Sequence, residues 1–252
     1  MYKIIADLHT HSIASDHAYN TIKEMADTAK EKGLFALAVT DHDSLLMPGA
    51  PTDWYFRSMS TSVPYYYRDV LILCGAETDV MDFDGTVHLE EDVAKSLDWV
   101  VASIHNLGYE GLQNPTPEKC TEMWLKVSEN PYVNVIGHSG DPDYAYDYEK
   151  VVPAFGANGK LVEINAHTFD VRAKNIPNCR KIAETCKKYG VQIVVNSDAH
   201  FETEIANFEN VLHMLEEIDF PEELIVNSSE ERLMKYIEEH THMLNRERRK
   251  ER

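Results

Sequence analysis

Seven short apolar runs, each delivering a side chain capable of chemistry, constrain this chain more than anything else in it. They cover about residues 2–6, 34–39, 70–76, 99–104, 133–137, 160–164 and 191–195. Val, Ile, Leu and Ala dominate them without polar alternation, the pattern of parallel strands buried on both faces. Between them lie mostly helical patterns. Thr21 and Glu24 have capping-box spacing, Ile22, Met25, Ala26 and Ala29 make one apolar face, and Gly33 is a natural stop. Further helices are predicted over 117–128, 148–157, 178–189, 208–218 and 229–239. The segment 44–69, with Pro48, Pro51 and Pro64, reads as an irregular loop with short helical turns. Asp84-Gly85 is a hairpin signal.

Strands alternating with helices predict parallel βαβ units. The residues at the carboxyl end of each strand separate an open sheet from a closed barrel. His9 and His11 come after the first run, His42 after the second, Glu77 after the third, His105 after the fourth and His138 after the fifth. Asn165 and His167 come after the sixth, and Asn196, Asp198 and His200 after the seventh. An open sheet needs such groups only near its topological switch point, whereas a barrel gathers every strand end around one mouth. The expected fold is therefore α/β, a distorted TIM-like (β/α)7 barrel. It forms a single domain over 1–245, with a charged, frayed tail at 246–252.

His9 and His11 stand at i and i+2, on one face of an extended chain. A lone strand-end histidine is usually an ordinary hydrogen-bonding residue. His9, His11, His17, His42, Glu77, His105, His138, Asp198 and His200 together exceed what one ion takes. They suit two or three divalent ions, with a carboxylate such as Glu77 bridging. Imidazole and carboxylate without thiolate favour Zn, Mn or Fe over Mg or Ca. Clustered cations acidify a bound water into a hydroxide nucleophile and offset the charge of a phosphate ester. No G-x-S-x-G, P-loop or G-x-G-x-x-G is present, so metal-assisted hydrolysis is the chemistry expected.

The net charge of −19 excludes a broad electrostatic footprint for long nucleic acid or an anionic membrane. It leaves room for a metal-lined pocket that takes a small anion. Cys74, Cys120, Cys179 and Cys186 show no metal-binding spacing. No signal peptide and no span-length apolar run is visible, so a cytoplasmic, reduced protein is expected.

D-L-H-T-H-S with S-D-H-A, V-T-D-H, G-A-E, S-I-H, G-H-S and S-D-A-H occur in that order along the chain. This set resembles the PHP (polymerase and histidinol phosphatase) superfamily, especially its small stand-alone phosphatases of the YcdX type. The resemblance implies a distorted barrel with a trinuclear centre, usually zinc, and phosphatase activity. It would place His9, His11, Glu77 and Asp198 on one ion, with Glu77 bridging to a second held by His105 and His138. His17, His42 and His200 would hold the third. Glu77, Asp198 and His200 are the expected catalytic ligands, and the expected partner is a small phosphorylated substrate such as histidinol phosphate or a sugar phosphate.

Arg172 is the expected phosphate-binding side chain, with Asn165 and His167 beside it. His167 stands where the family pattern has a small polar residue. Arg57 is a weaker candidate, and Tyr55, Tyr65, Tyr66 and Tyr67 would wall or cover the mouth. Asp7 is expected to orient a histidine, and His88 to lie on the surface. The alternatives are a phosphodiesterase or nuclease for short oligonucleotides on the same site, or a non-catalytic metal-binding module. An amidohydrolase-like barrel also starts His-x-His, but it needs a bridging lysine that this chain lacks.

Overall fold

The seven apolar runs become seven parallel strands, each hydrogen-bonded to the next in sequence order. They are β1 (Ala6–Thr10), β2 (Ala36–Val39), β3 (Val70–Asp79), β4 (Trp99–Ser103), β5 (Val135–Ile136), β6 (Leu161–Asn165) and β7 (Ile193–Asn196). The computed structural model describes residues 2–241 and 243; the tail at 246–252 lies outside them. Among the described residues no helix is long and apolar enough to cross a membrane.

Alternation along the strands builds two apolar layers. Ala6, Leu8, Ala38, Leu71, Leu73, Trp99, Val101, Leu161 and Val194 fill the barrel interior. Leu233, Tyr236 and Ile237 of the helix Glu230–His240 plug its amino end. The opposite faces, for example Leu37, Ile72, Val100 and Val162, pack beneath the surrounding helices. The inner row changes character as it rises. On β3 it runs Leu71, Leu73, Gly75, Glu77, Asp79; on β6 it runs Leu161, Glu163, Asn165. Gly75 marks the narrow level between floor and mouth, where an added Cβ would collide with the Trp99 carbonyl oxygen.

β1 starts later than its apolar run predicts, so His9 lies inside the strand rather than after it. Its pairing with β2 also slips. Asp7 faces Leu37 but Thr10 faces Val39, so β1 holds one extra residue. This bulge resets the alternation and turns His9 and His11 onto the inner side that Ala6 and Leu8 occupy below.

The seam between β1 and β7 closes by other means. At the upper end His11 N donates to Ala199 O (2.9 Å) and Asp198 N to His9 O (2.9 Å). At the lower end Asn227 takes the place of a missing strand. Its Nδ2 donates to Ala6 O (2.8 Å) and Val195 O (2.6 Å), its Oδ1 accepts from Val195 N (3.1 Å), and its own carbonyl accepts from Ile5 N (2.9 Å).

The helix Ile22–Glu31 carries the full Thr21/Glu24 capping box, and Gly85, with φ +77°, turns the chain between Val80 and Val87. The segment 44–69 is more ordered than expected, with a ten-residue helix, Asp53–Ser62. Tyr66–Tyr67 pairs antiparallel with the amino end of β3, and Tyr65 Oη donates to Met243 O (2.7 Å). These three tyrosines therefore lie toward the floor, not at the mouth. Tyr55 alone reaches the mouth, donating to Asp41 Oδ2 (2.5 Å).

Candidate metal centre

Glu77, at the inner carboxyl end of β3, is the hub. Imidazole nitrogens of His42 (3.0 Å), His9 (3.3 Å) and His11 (3.6 Å) surround its Oε2. His138 (2.9 Å) and His105 (3.4 Å) approach its Oε1. Asp198 Oδ1 lies 3.1 Å from His11 Nε2 and 3.6 Å from His9 Nε2. The His200 ring stacks on His11 (4.4 Å) and on His17 (4.8 Å), and His17 stacks in turn on His42 (4.9 Å). All nine predicted ligands thus converge, with His17 outermost and exposed.

Donor atoms within 4.8 Å of one another form three overlapping groups: His9–His11–Glu77, His42–Glu77–His105 and His11–His42–His200. His9 Nε2, both His42 nitrogens and Glu77 Oε2 are buried without a hydrogen-bond partner. Buried polar atoms are rarely left so, and here they face one another. The donor chemistry fits divalent cations.

The electrostatics derive from the crowding. Burial would raise the Glu77 carboxyl, but His9, His105 and His42 hold it well below its usual range. Asp198 is likewise held low against burial by His9 and His11. Burial alone would lower His105, but Glu77 and Asp79 push it up to about 10. His11 falls well below the ordinary imidazole range through burial beside His42 and His200. Burial and Arg172 lower His138.

A ring of carboxylates behind the candidate ligands fixes His9 and His105 and the 12–15 turn. Glu163 was not singled out from the sequence. Its Oε1 lies 2.7 Å from His9 Nδ1 and accepts from Asn196 Nδ2 (2.8 Å); its Oε2 accepts from His138 N (2.9 Å) and Asn165 Nδ2 (3.1 Å). Asp79 Oδ1 lies 2.6 Å from His105 Nδ1. Asp41 accepts from Ser12 N, Ser12 Oγ and Ser15 Oγ, each at 2.7 Å. The available signal was a charged residue inside an apolar run, Glu163 between Val162 and Ile164.

Asp7 does not orient a histidine directly. Its carboxylate accepts from Ser197 N (3.0 Å), Ser197 Oγ (2.5 Å) and Ala206 N (2.9 Å). It thereby pins the turn that carries Asp198, whose φ of 57° is left-handed. Burial pushes the Asp7 carboxyl up to about 6. His88 is not a free surface histidine: it is half-buried, with Nδ1 3.0 Å from Asp43 Oδ1. Arg57 points away and pairs with Asp92.

Of the residues expected to touch substrate, Arg172 puts Nη1 3.4 Å from Asp198 Oδ2 and is partly exposed. His167 stacks on His200 at 5.6 Å. Asn165 is buried and commits its amide nitrogen to Glu163 and to Asp198 (3.1 Å each), which makes it a brace for Asp198.

The PHP domain family matches residues 7–167, more than half of the chain. A protein of Acetivibrio thermocellus named a probable phosphatase is 41% identical, over 93% of this chain and 95% of its own length. The crystal structure of histidinol phosphate phosphatase from Lactococcus lactis, complexed with zinc, L-histidinol and phosphate, superposes with a TM-score of 0.61 at 18% identity. It covers 86% of this chain and 94% of that one. A chain of archaeal ribonuclease P superposes almost as well, with a TM-score of 0.60 at 14% identity, covering 95% of this chain and 94% of its own. Likeness at that level speaks for the barrel alone. The sequence match settles the lineage: this chain belongs to the PHP domain family, among relatives named as probable phosphatases.

Proposed function

We propose that this phosphatase of the PHP family hydrolyses a small phosphate monoester, histidinol phosphate being one candidate, at a centre of two or three divalent ions. The observation that carries the reading is the knot of partnerless ligand atoms around Glu77. Each unpartnered buried polar group costs about 1–3 kcal/mol, a cost that a bound cation would remove. Zinc stands first because the Lactococcus lactis neighbour is complexed with zinc; manganese and iron accept the same imidazole and carboxylate donors. The residues to hold the ions are His9, His11, His17, His42, Glu77, His105, His138, Asp198 and His200. Such ions supply an acidified water and neutralise charge on the phosphoryl oxygens.

The chain's own groups do the rest. Glu163 and Asp79 hold one nitrogen each of His9 and His105, leaving the other free to face Glu77. Asn165 and the Asp7-pinned turn keep Asp198 aimed inward. Arg172, whose Nη1 lies 3.4 Å from Asp198 Oδ2, is the guanidinium we assign to phosphate oxygens, with His167 beside it.

The test joins metal analysis to hydrolysis of p-nitrophenyl phosphate and bis-p-nitrophenyl phosphate. At least two ions per chain, preference for the monoester, and a loss of roughly 10²–10³-fold or more in Glu77→Ala are expected. Fewer than two ions, or unchanged turnover in the variant, overturns the reading. Cleavage of the diester alone moves it to a phosphodiesterase.

A further inference from the structure

Two properties of the mouth distinguish it from the rest of the surface. The first is where exposed apolar side chains fall. Of the nine large ones exposed among the described residues, six are Ile13, Tyr19, Leu45, Leu46, Val171 and Phe201, all on segments leaving strand carboxyl ends. Ile13, Tyr19 and Leu45 are 60%, 68% and 67% exposed. Single exposed apolar residues are ordinary on any protein; their concentration around one opening is not. Hydrogen bonds tie the loops into one rim. Ile13 N donates to Asn20 O (2.8 Å), Tyr19 N to His200 O (3.0 Å), and Glu202 N to Asn20 Oδ1 (2.7 Å). Leu45 N donates to Tyr109 Oη (3.1 Å), whose hydroxyl also donates to Asp79 behind His105.

The second property is charge. The loops leaving the seven strands, at 12–21, 40–52, 80–90, 104–116, 137–147, 165–175 and 197–208, hold only two Lys or Arg between them. These are Arg172 and Lys174, and Lys174 is paired with both Asp141 and Asp143. The loop Ser44-Leu45-Leu46-Met47-Pro48-Gly49-Ala50 carries no charge at all, in a protein that is 27% charged. One guanidinium suits one phosphoryl group. A second phosphate, a polyphosphate or a nucleic-acid backbone would meet only Lys174, already paired with two carboxylates, and Lys32, whose ammonium donates to the carbonyl oxygens of Thr203 and Ile205. A polyhydroxylated sugar would leave those of its hydroxyls that meet Ile13, Leu45 and Leu46 unpaired.

We propose that the substrate is an amphiphilic phosphate monoester whose alcohol carries an aliphatic or aromatic body, seated on the rim of Ile13, Tyr19, Leu45 and Phe201. This inference rests on the phosphomonoesterase reading and names the substrate class within it. The rim residues contribute specificity by covering apolar surface, not by touching the reacting atoms.

The experiment uses the metal-loaded enzyme and a series of primary alkyl phosphates, methyl, propyl and hexyl, with released phosphate measured. The leaving alcohols are of similar acidity, so differences in kcat/KM report contact with the chain. A fully buried methylene is worth about fourfold, so three half-buried ones predict a rise of roughly eightfold from propyl to hexyl. In Ile13→Ser/Leu45→Ser that rise should shrink at least threefold. A flat series, or a slope the double variant leaves intact, overturns the inference while phosphate release keeps the phosphomonoesterase reading. A variant that changes the sedimenting mass and not the slope overturns it too, and assigns the patch to contact with a second copy of the chain. No release from any monoester, p-nitrophenyl phosphate included, removes both.

Discussion

At its amino end the barrel is shut by Leu233, Tyr236 and Ile237 against Leu8, Leu71, Trp99 and Val101, with apolar contacts filling the space. At its carboxyl end the same strands push five imidazoles against one carboxylate and leave four buried polar atoms without partners. Burial of the floor lowers the free energy of folding; crowding of ligands at the mouth raises it until cations arrive. The two ends should therefore separate under mutation, the floor governing stability and the mouth governing function.

The largest separation is expected from Asn227→Ala. It removes three side-chain hydrogen bonds at the lower seam and leaves buried partners on β1 and β7 unsatisfied. A loss of about 3–5 kcal/mol is expected in urea unfolding, with metal content per folded molecule preserved. A loss below about 1 kcal/mol would mean that the upper seam closes the barrel unaided.

Glu163→Gln attacks the other end. All four neighbours of that carboxylate are donors, so an amide must turn its own NH₂ toward two of them. Metal affinity should fall roughly 10–100-fold in a competition titration, while the metal-free protein loses about 1–3 kcal/mol, less than Asn227→Ala does. A stability loss as large as that of Asn227→Ala would merge the two ends into one cooperative unit.

The smallest effect is a pH dependence confined to the floor. Lys160 is buried, donates to Asn130 O (2.6 Å) and Val133 O (2.7 Å), and is pushed down to about 8 by burial. Between pH 8 and the ordinary lysine value the unfolded chain binds more protons than the folded one, so stability rises with pH across that window. Wild type should therefore gain on Lys160→Met between about pH 7.5 and 9.5. A constant gap would show that the two carbonyls keep the ammonium charged.

Much of this architecture was legible in the sequence, because apolar runs buried on both faces report themselves by composition. Six of the seven strands fall where those runs predict. The candidate ligands that the fold brings together were legible because their residue types are rare at strand ends. The missed features depend on partners far away in the chain. β1 contains Asp7, His9 and Thr10, which read as loop residues, and only contacts with β7 and β2 satisfy them as a strand. Glu163 and Asp79 show in the sequence only as carboxylates within or just after apolar runs; which histidine each one holds depends on the fold. Tyr65–Tyr67 read as mouth residues because their segment starts at the mouth, but the helix Asp53–Ser62 carries the chain down to the floor.

The lower seam also has a kinetic side. Asn227 joins Ala6 across 221 residues of sequence. The entropic cost of closing so long a loop grows only logarithmically, so equilibrium tolerates it. Time does not: non-local pairings form slowly, and a nascent chain builds its amino-terminal part first. Until Asn227 has been synthesised, β1 has no lower partner on its far side and the interior faces of the strands stay open to water or to other chains. Emergence of Asn227 from the ribosome should therefore be the moment at which this barrel becomes resistant to proteases, with all nine candidate ligands already made.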